Sequence, residues 1–413
     1  MSEPLTEVVN TEEPVTEPPL FPMKRQCPFT MPAEYAKMRA EEPVAKVTLR
    51  VSGKQVWVVT KQEHVKQVLM DSTLSSNWKE PGYPLPIAVP DEILQGLELP
   101  LVALDPPDHT VRRRMLIPEF TAKRMQALAP RIQEVVDEHI DAMLEAGPPA
   151  DLVQALAVNV PAQVFCKLLG VPADETDFFR RYAEITTNRE VTPEQIGAAQ
   201  QEMESYLDKL VTERGVNPAD DLISRLVARN NEEGLLEHSD VVALVRVLLF
   251  GGFDTISNIV TLGTVALLDH PEQLAQLKAD PSLTANAIGE LLRWASISDS
   301  ATARVLPHDI KVGDVVIPAG DGVIALNGSA NRDETVWTDP DVFDIHRDTK
   351  GHSSFGHGIH QCPGASLVKV ELEIIFNTLF ARIPTLRLTG PLPDSVYKHD
   401  ALIFGMYELP VTW

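Results

Sequence analysis

The run Phe355-Gly356-His357-Gly358-Ile359-His360-Gln361-Cys362-Pro363-Gly364 holds a cysteine among glycines that permit tight backbone turns. Behind it, residues 365–375 (ASLVKVELEII) carry apolar side chains at helical spacing. A thiol at a helix start meets backbone N–H groups and the positive end of the helix dipole, and both favour the thiolate. A thiolate on a rigid loop, aimed away from the helix, is what an axial iron ligand requires. Other readings use the same residue types. A solitary cysteine is commonly a small buried hydrophobe, which is the expectation for Cys27 and Cys166. His357, His360 and Cys362 suggest zinc, but that site needs a fourth ligand and usually a second pair.

A second set of costly residues lies in the apolar stretch that begins at Ser239-Asp240. Its middle reads Gly251-Gly252-Phe253-Asp254-Thr255. Two adjacent glycines weaken a helix by about 1 kcal/mol each relative to alanine, and a buried carboxylate beside a hydroxyl costs more unless it is partnered. Such residues in a core helix point to function. The other reading is a packing contact, with Asp254 in a structural hydrogen bond. Further back, His109 and Arg113 are four apart and share one helical face, with Asp105 placed to cap that helix and Pro107 and Asp108 in its first turn. By themselves they also read as a solvated basic face. Glu290 and Arg293 share another helix face at i, i+3.

With these residues in view, the chain resembles the cytochrome P-450 superfamily, whose haem-ligand loop F-G-x-G-x-H-x-C-x-G is matched at every specified position by residues 355–364. NRDE at 331–334, FDIHR at 343–347 and the ELPVTW ending resemble the soluble actinobacterial branch. The resemblance implies a mainly α fold with a small β-rich portion and haem b between a long central helix and the cysteine loop. Cys362 would be the only protein ligand to iron. Phe355, His360 and Gly364 would border the haem in the loop, and Gly251 and Gly252 in the central helix, where a loosened turn makes a groove for dioxygen and water. His109 and Arg113 would hold one haem propionate and Arg304 the other. Asp254 and Thr255 would deliver protons, and a Glu290–Arg293–Arg347 network would hold the ligand loop. Gly289 stands where the family often has a second glutamate.

The implied activity is monooxygenation, the hydroxylation of a C–H bond in an apolar small molecule, with electrons from a ferredoxin and its reductase. The fungal nitric oxide reductase branch is also similar outside the central helix, but it does not use the acid–alcohol pair. A non-catalytic haem sensor would lack a proton relay.

The 413 residues carry a formal net charge of −23, which argues against nucleic acid or anionic membrane as partners. The local exception is Arg112-Arg113-Arg114; with Lys350, Arg112 and Arg114 are expected to offer a basic docking patch to an acidic ferredoxin. Three cysteines suit a reducing cytoplasm, and no apolar run reaches about 18 residues. A monomer is expected. Residues 1–19, acidic and proline-rich, read as a disordered tail before a single domain at 20–413.

The elements that must position the site follow from pattern. Residues 33–42 and 62–70 read as helices, 44–60 as a hairpin, and most of 120–285 as helical. Residues 77–100 form a proline-rich irregular loop, a lid over the substrate by resemblance. Residues 178–195 give no functional signal. Short strands surround Arg304, and residues 297–302 and 402–406 are expected to border the substrate.

Overall fold

The computed structural model describes residues 17–25, 27–85, 89–96, 98–172, 175, 178, 179, 181, 182, 185, 191–298, 302–399, 401 and 403–413. Outside these lie residues 1–16 of the expected tail, 86–88 and 97 of the irregular loop, most of 178–190, and 299–301 and 402 of the substrate-bordering segments. The tail expectation meets ordered chain at its end: Thr48 N donates to Pro19 O at 2.9 Å and Thr48 Oγ1 to Pro18 O at 3.4 Å. Backbone pairing with the first sheet therefore begins ahead of residue 20.

The long helix His238–Asp269 runs through the middle of the main core. It starts one residue before the expected Ser239, because Glu237 and Asp240 cap each other's backbone N–H groups. It is long and apolar enough to cross a membrane, but 59% of its most apolar window is buried inside the protein, as a core helix requires. Helices Ala122–Ala146, Asn159–Leu169, Thr284–Ala295 and Ala365–Arg382 bury apolar stripes in the same core.

The β-rich portion comprises β1 (Leu20–Phe21), β2 (Val44–Leu49), β3 (Gln55–Val59), β4 (Ala150–Asp151), β5 (Ala303–Val305), β6 (Ile310–Val312), β7 (Val315–Ile317), β8 (Gly322–Ala325), β9 (Arg387–Leu388) and β10 (Pro410–Thr412), and its largest sheet runs in the order β1-β2-β3-β8-β5. The expected hairpin is present, with Val44 opposite Val59 and Thr48 opposite Gln55. β5 lies antiparallel to β8, and its Val305 exchanges backbone hydrogen bonds with Ser75 at 2.9 and 3.0 Å. That exchange carries Arg304 to the start of the irregular loop. The loop itself holds a short helix, Asp91–Gly96, that its prolines had hidden. Lys79 Nζ donates to Gln95 O at 2.9 Å and Gln95 Nε2 returns a bond to Lys79 O at 3.2 Å, tying the loop's two limbs.

Candidate active site: a buried thiol and an acid–alcohol helix

The cysteine loop is set by backbone contacts. Cys362 N donates to Phe355 O at 2.8 Å. Gly358 has φ +71°, and a Cβ there would stand 2.2 Å from Leu69 O, so only glycine fits. Phe355 is half-buried against the main core, and its ring lies 5.9 Å from Lys369 Nζ. Gly364 is the N-cap of helix Ala365–Arg382. The Cys362 sulfur receives the backbone N–H groups of Gly364 and Ala365 and lies near Arg113, all of which lower its pKa, yet burial outweighs them and pushes the thiol up. The helix-start N–H groups thus favour the thiolate as expected, while burial opposes it.

Cys166 is core, as expected, with burial pushing its thiol to about 12. Cys27 is exposed, against expectation, with Thr30 Oγ1 at 3.5 Å from its sulfur. Among the described residues no three His, Cys, Asp or Glu side chains gather as a metal-ligand cluster, which removes the zinc reading.

The network expected behind the loop is formed. Arg293 Nε and Nη2 donate to the two Glu290 oxygens at 2.7 and 2.8 Å, and Arg347 Nε adds 3.1 Å to Oε1. Arg293 also donates to Asn331 O at 2.7 Å and Pro340 O at 2.9 Å. From Asn331 the chain of bonds reaches Ser353 N (2.7 Å) and Ser354 Oγ (2.9 Å), immediately before the cysteine loop.

Beside the thiol stands a cluster of basic side chains drawn from three segments. Arg113 Nη2 donates to Gln361 O. His109 packs its ring on that of His360, centroids 4.1 Å apart. His360 Nε2 lies 3.1 Å from Ser76 Oγ. Arg304, 5% exposed, donates through Nη1 to Ala303 O at 2.7 Å. Burial, and then the neighbouring Arg113 and Arg304, push His109 down to about 4. Burial, then Arg304, His109 and Arg113, take His360 to about 3.

Both are neutral rings at physiological pH, yet both ring nitrogens of His109 are buried without a partner. A buried imidazole calls for a hydrogen-bonding group. The set fits a buried group that presents carboxylates to His109, Arg113 and Arg304 and a cation to the thiol.

Sequence reasoning missed three members of this cluster. Ser76 is fully buried against His360. Tyr83, in the irregular loop beside Arg304, is pushed by burial to about 12. Asp105 does not cap the following helix, whose N-cap is Pro107 with no side-chain bond. Its carboxylate instead accepts from Ser75 Oγ and from Ser76 N at 2.7 Å. No local signal marks these pairings, which join residues 29 or more apart in sequence, up to the 284 between Ser76 and His360.

On the central helix, Thr255 Oγ1 donates to Gly251 O at 2.9 Å, and the space beside Gly251 is open. The helix stays helical through residues 251–255, so the expected loosened turn is absent from the secondary structure. Gly252 is also accounted for by packing: a Cβ there would meet Phe165 Cζ at 1.9 Å. The packing alternative therefore holds for Gly252 and not for Gly251. Gly252→Ala is expected to cost about 1–3 kcal/mol through overpacking, read as a lowered denaturation midpoint, whereas Gly251→Ala, with open space for its Cβ, should raise the midpoint by the equivalent of about 1 kcal/mol of helix propensity. Asp254 is held on both oxygens, Oδ1 by Lys398 Nζ at 2.9 Å and Oδ2 by Asn258 Nδ2 at 3.2 Å. Lys398 carried no sequence signal.

The expected docking patch is smaller than its sequence. Arg112 turns onto Asp240, with Asp108 at 3.8 Å, and is largely covered. Arg114 pairs with Glu233 at 2.7 Å, and Lys350 lies 4.0 Å from Asp348 with both side chains in solvent.

Comparison with known proteins gives this arrangement a family context. A family model described as Cytochrome P450 matches residues 18–383. The chain is 41% identical over 414 residues to the vitamin D3 dihydroxylase of Streptomyces griseolus, covering 99% of this chain and 100% of that one. It is 37% identical to the 20-oxo-5-O-mycaminosyltylactone 23-monooxygenase of Streptomyces fradiae, covering 95% of this chain and 92% of the relative. Among solved structures, cytochrome P450 MoxA from Nonomuraea recticatena superposes with a TM-score of 0.90 at 44% identity, over 95% of this chain and 98% of that one.

Proposed function

This chain belongs to the cytochrome P450 family, and we propose that it hydroxylates a C–H bond of an apolar small molecule with electrons from a ferredoxin and its reductase. It is an oxidoreductase of the monooxygenase class with a haem-thiolate cofactor. The donor set described above fits a haem, and haem b is our assignment. Cys362 would be its axial ligand, His109 and Arg113 would take one propionate and Arg304 the other, and Phe355, His360, Gly364 and Gly251 would border it. When bound, the haem supplies dioxygen activation, which the thiolate ligand assists by pushing electron density toward O–O cleavage.

The residues of the chain supply the rest. The N–H groups of Gly364 and Ala365 steady the ligand sulfur. Arg113 fixes the loop through Gln361 O. Thr255 presents a hydroxyl beside the open space at Gly251 and can pass a proton at Oγ1, with Asp254 as the acid that resupplies it. This acid–alcohol pair on a buried helix, next to a gap in its side-chain surface, is the observation that carries the reading.

The enzyme is taken to be a cytoplasmic monomer, one domain from residue 20 to 413 behind an acidic tail, binding neither nucleic acid nor membrane. Arg114 and Lys350, the more exposed of the expected basic residues, are proposed as contacts for the acidic ferredoxin.

A ligand panel that includes vitamin D3, the molecule in one relative's name, would first be scored by the shift of the ferric Soret band. With the best ligand, product formed per electron consumed is then measured. Thr255→Ala removes one hydroxyl at little cost to folding, and electrons are expected to appear as hydrogen peroxide in place of product. Asp254→Asn is expected to slow turnover about a hundredfold. Full coupling in Thr255→Ala would overturn the relay. Consumption of nitric oxide with a nicotinamide alone would overturn the monooxygenase reading.

A further inference from the structure

Lys398 belongs to the C-terminal segment, 144 residues from Asp254. Its side chain is 6% exposed and its ammonium sits 2.9 Å from Asp254 Oδ1. The Nζ atom lies 5.7 Å from the centroid of the Tyr407 ring, which offers its face to the cation. Charge-assisted hydrogen bonds are about twice as strong as neutral ones, so of the two bonds to Asp254 that from Lys398 dominates the weaker 3.2 Å contact from Asn258. Both Asp254 oxygens are thus engaged by groups other than Thr255, and the Thr255 hydroxyl is turned to Gly251 O. An acid held in this way has to leave Lys398 before it can serve the alcohol.

The segment that carries Lys398 also closes the substrate-bordering region. Lys398 N donates to Gly405 O at 2.9 Å, Tyr407 N to Val396 O at 2.7 Å, and Phe404 N to Ile297 O at 2.8 Å. Tyr397 and Phe404 stack with centroids 6.2 Å apart. Asn258 lies against the same turn, since a Cβ on Gly405 would stand 1.9 Å from its Oδ1. Displacement of the 403–407 turn by a bound molecule would therefore pull on Lys398 through Gly405 O, while Asn258 stays on the central helix with Asp254.

We infer that Lys398 is a positioning residue that latches the Asp254 carboxylate away from Thr255, and that the C-terminal turn sets the latch, so that proton supply follows occupancy of the substrate side. This rests on the relay reading of Asp254 and Thr255 given above. Lys398 touches none of the reacting atoms and acts only through Asp254.

The test uses the haem-loaded full chain without substrate, supplied with a ferredoxin, its reductase and NADPH. Dioxygen consumption, the share of it released as peroxide and the solvent deuterium isotope effect are measured for the wild type, Lys398→Met, Asp254→Asn and the double variant. Loss of one charge-assisted hydrogen bond corresponds to about a tenfold change. Lys398→Met is expected to raise substrate-free dioxygen consumption by that factor, with a smaller share released as peroxide, and to bring the isotope effect toward one. On the Asp254→Asn background it should change none of these, and Lys398→Arg, which keeps the charge, should restore the wild-type values.

Thermal midpoints of the same four proteins, with and without haem, give a readout independent of turnover: the two single losses are expected to be less than additive in the double variant. Should Lys398→Met fail to fold, Lys398→Gln keeps a donor without the charge and enters the same assay. An unchanged rate of dioxygen consumption in Lys398→Met, an equal rise on the Asp254→Asn background, or additive midpoints would overturn the latch. If Asp254→Asn itself partitions electrons as the wild type does, the relay reading fails and the latch with it. Non-additive midpoints would then show a purely structural pair.

Discussion

Cys362→His is expected to abolish the strongly red-shifted Soret band of the ferrous carbonyl adduct, while Cys166→Ser leaves it in place. The shift reports a thiolate on the iron, and a neutral imidazole cannot replace the electron density that a thiolate donates. The three cysteines of the chain differ in setting. Cys166 is buried among apolar side chains, with its thiol pushed to about 12. Cys27 is exposed near the N-terminus. Cys362 alone has Gly364 and Ala365 N–H groups and Arg113 beside its sulfur. Product formation should fall to background in Cys362→His even where the protein retains haem, which the haem-to-protein absorbance ratio checks. Loss of the band in Cys166→Ser, or its survival in Cys362→His, would show that the ligand has been misassigned.

The second large effect is expected from Arg293→Leu. Arg293 and Glu290 are both fully buried and joined by two bonds of 2.7 and 2.8 Å. Removing one partner of a buried pair costs about 3–5 kcal/mol where the other charge is left alone. Glu290 keeps only the single 3.1 Å bond from Arg347 and the Asp344 N–H, both on Oε1, so Oε2 is stranded and the cost falls toward the lower end. Here the leucine also abandons the carbonyls of Asn331 and Pro340, through which the network reaches the residues before the cysteine loop. The expected result is a denaturation midpoint lowered in proportion, together with poor haem retention. Arg293→Lys should rescue little, because an ammonium cannot fork onto both Glu290 oxygens and two carbonyls at once. Arg347→Leu should cost less, since Glu290 then keeps its bidentate partner and Arg347 is partly exposed. Equal losses in Arg293→Leu and Arg347→Leu would mean that the buried fork is not what holds the loop.

Both effects are legible in the sequence. The cysteine loop and the Glu290–Arg293 spacing are local: a turn that needs glycine and a helix face at i, i+3 are written in consecutive residues. Helix periodicity likewise disclosed the central helix His238–Asp269 and the core stripe around Cys166, because burial on one face leaves a repeat that needs no knowledge of the partner. The start of that helix shifted by one residue only because Glu237 and Asp240 cap each other.

What the tertiary structure decided was which side chains meet across that frame. Asp105 reads as a helix cap along the chain, yet its carboxylate accepts from Ser75 and Ser76. Arg112 reads as free for docking, yet Asp240, 128 residues on, takes it. Gly252 reads as a functional opening, yet Phe165 fills its space. His360 meets Ser76 across 284 residues, and Lys398 meets Asp254 across 144. A periodic pattern records that a face is buried but not against what, because apolar burial is non-directional. Hydrogen bonds and ion pairs are directional and short-ranged, so their partners are fixed only when packed elements bring the atoms within about 3 Å.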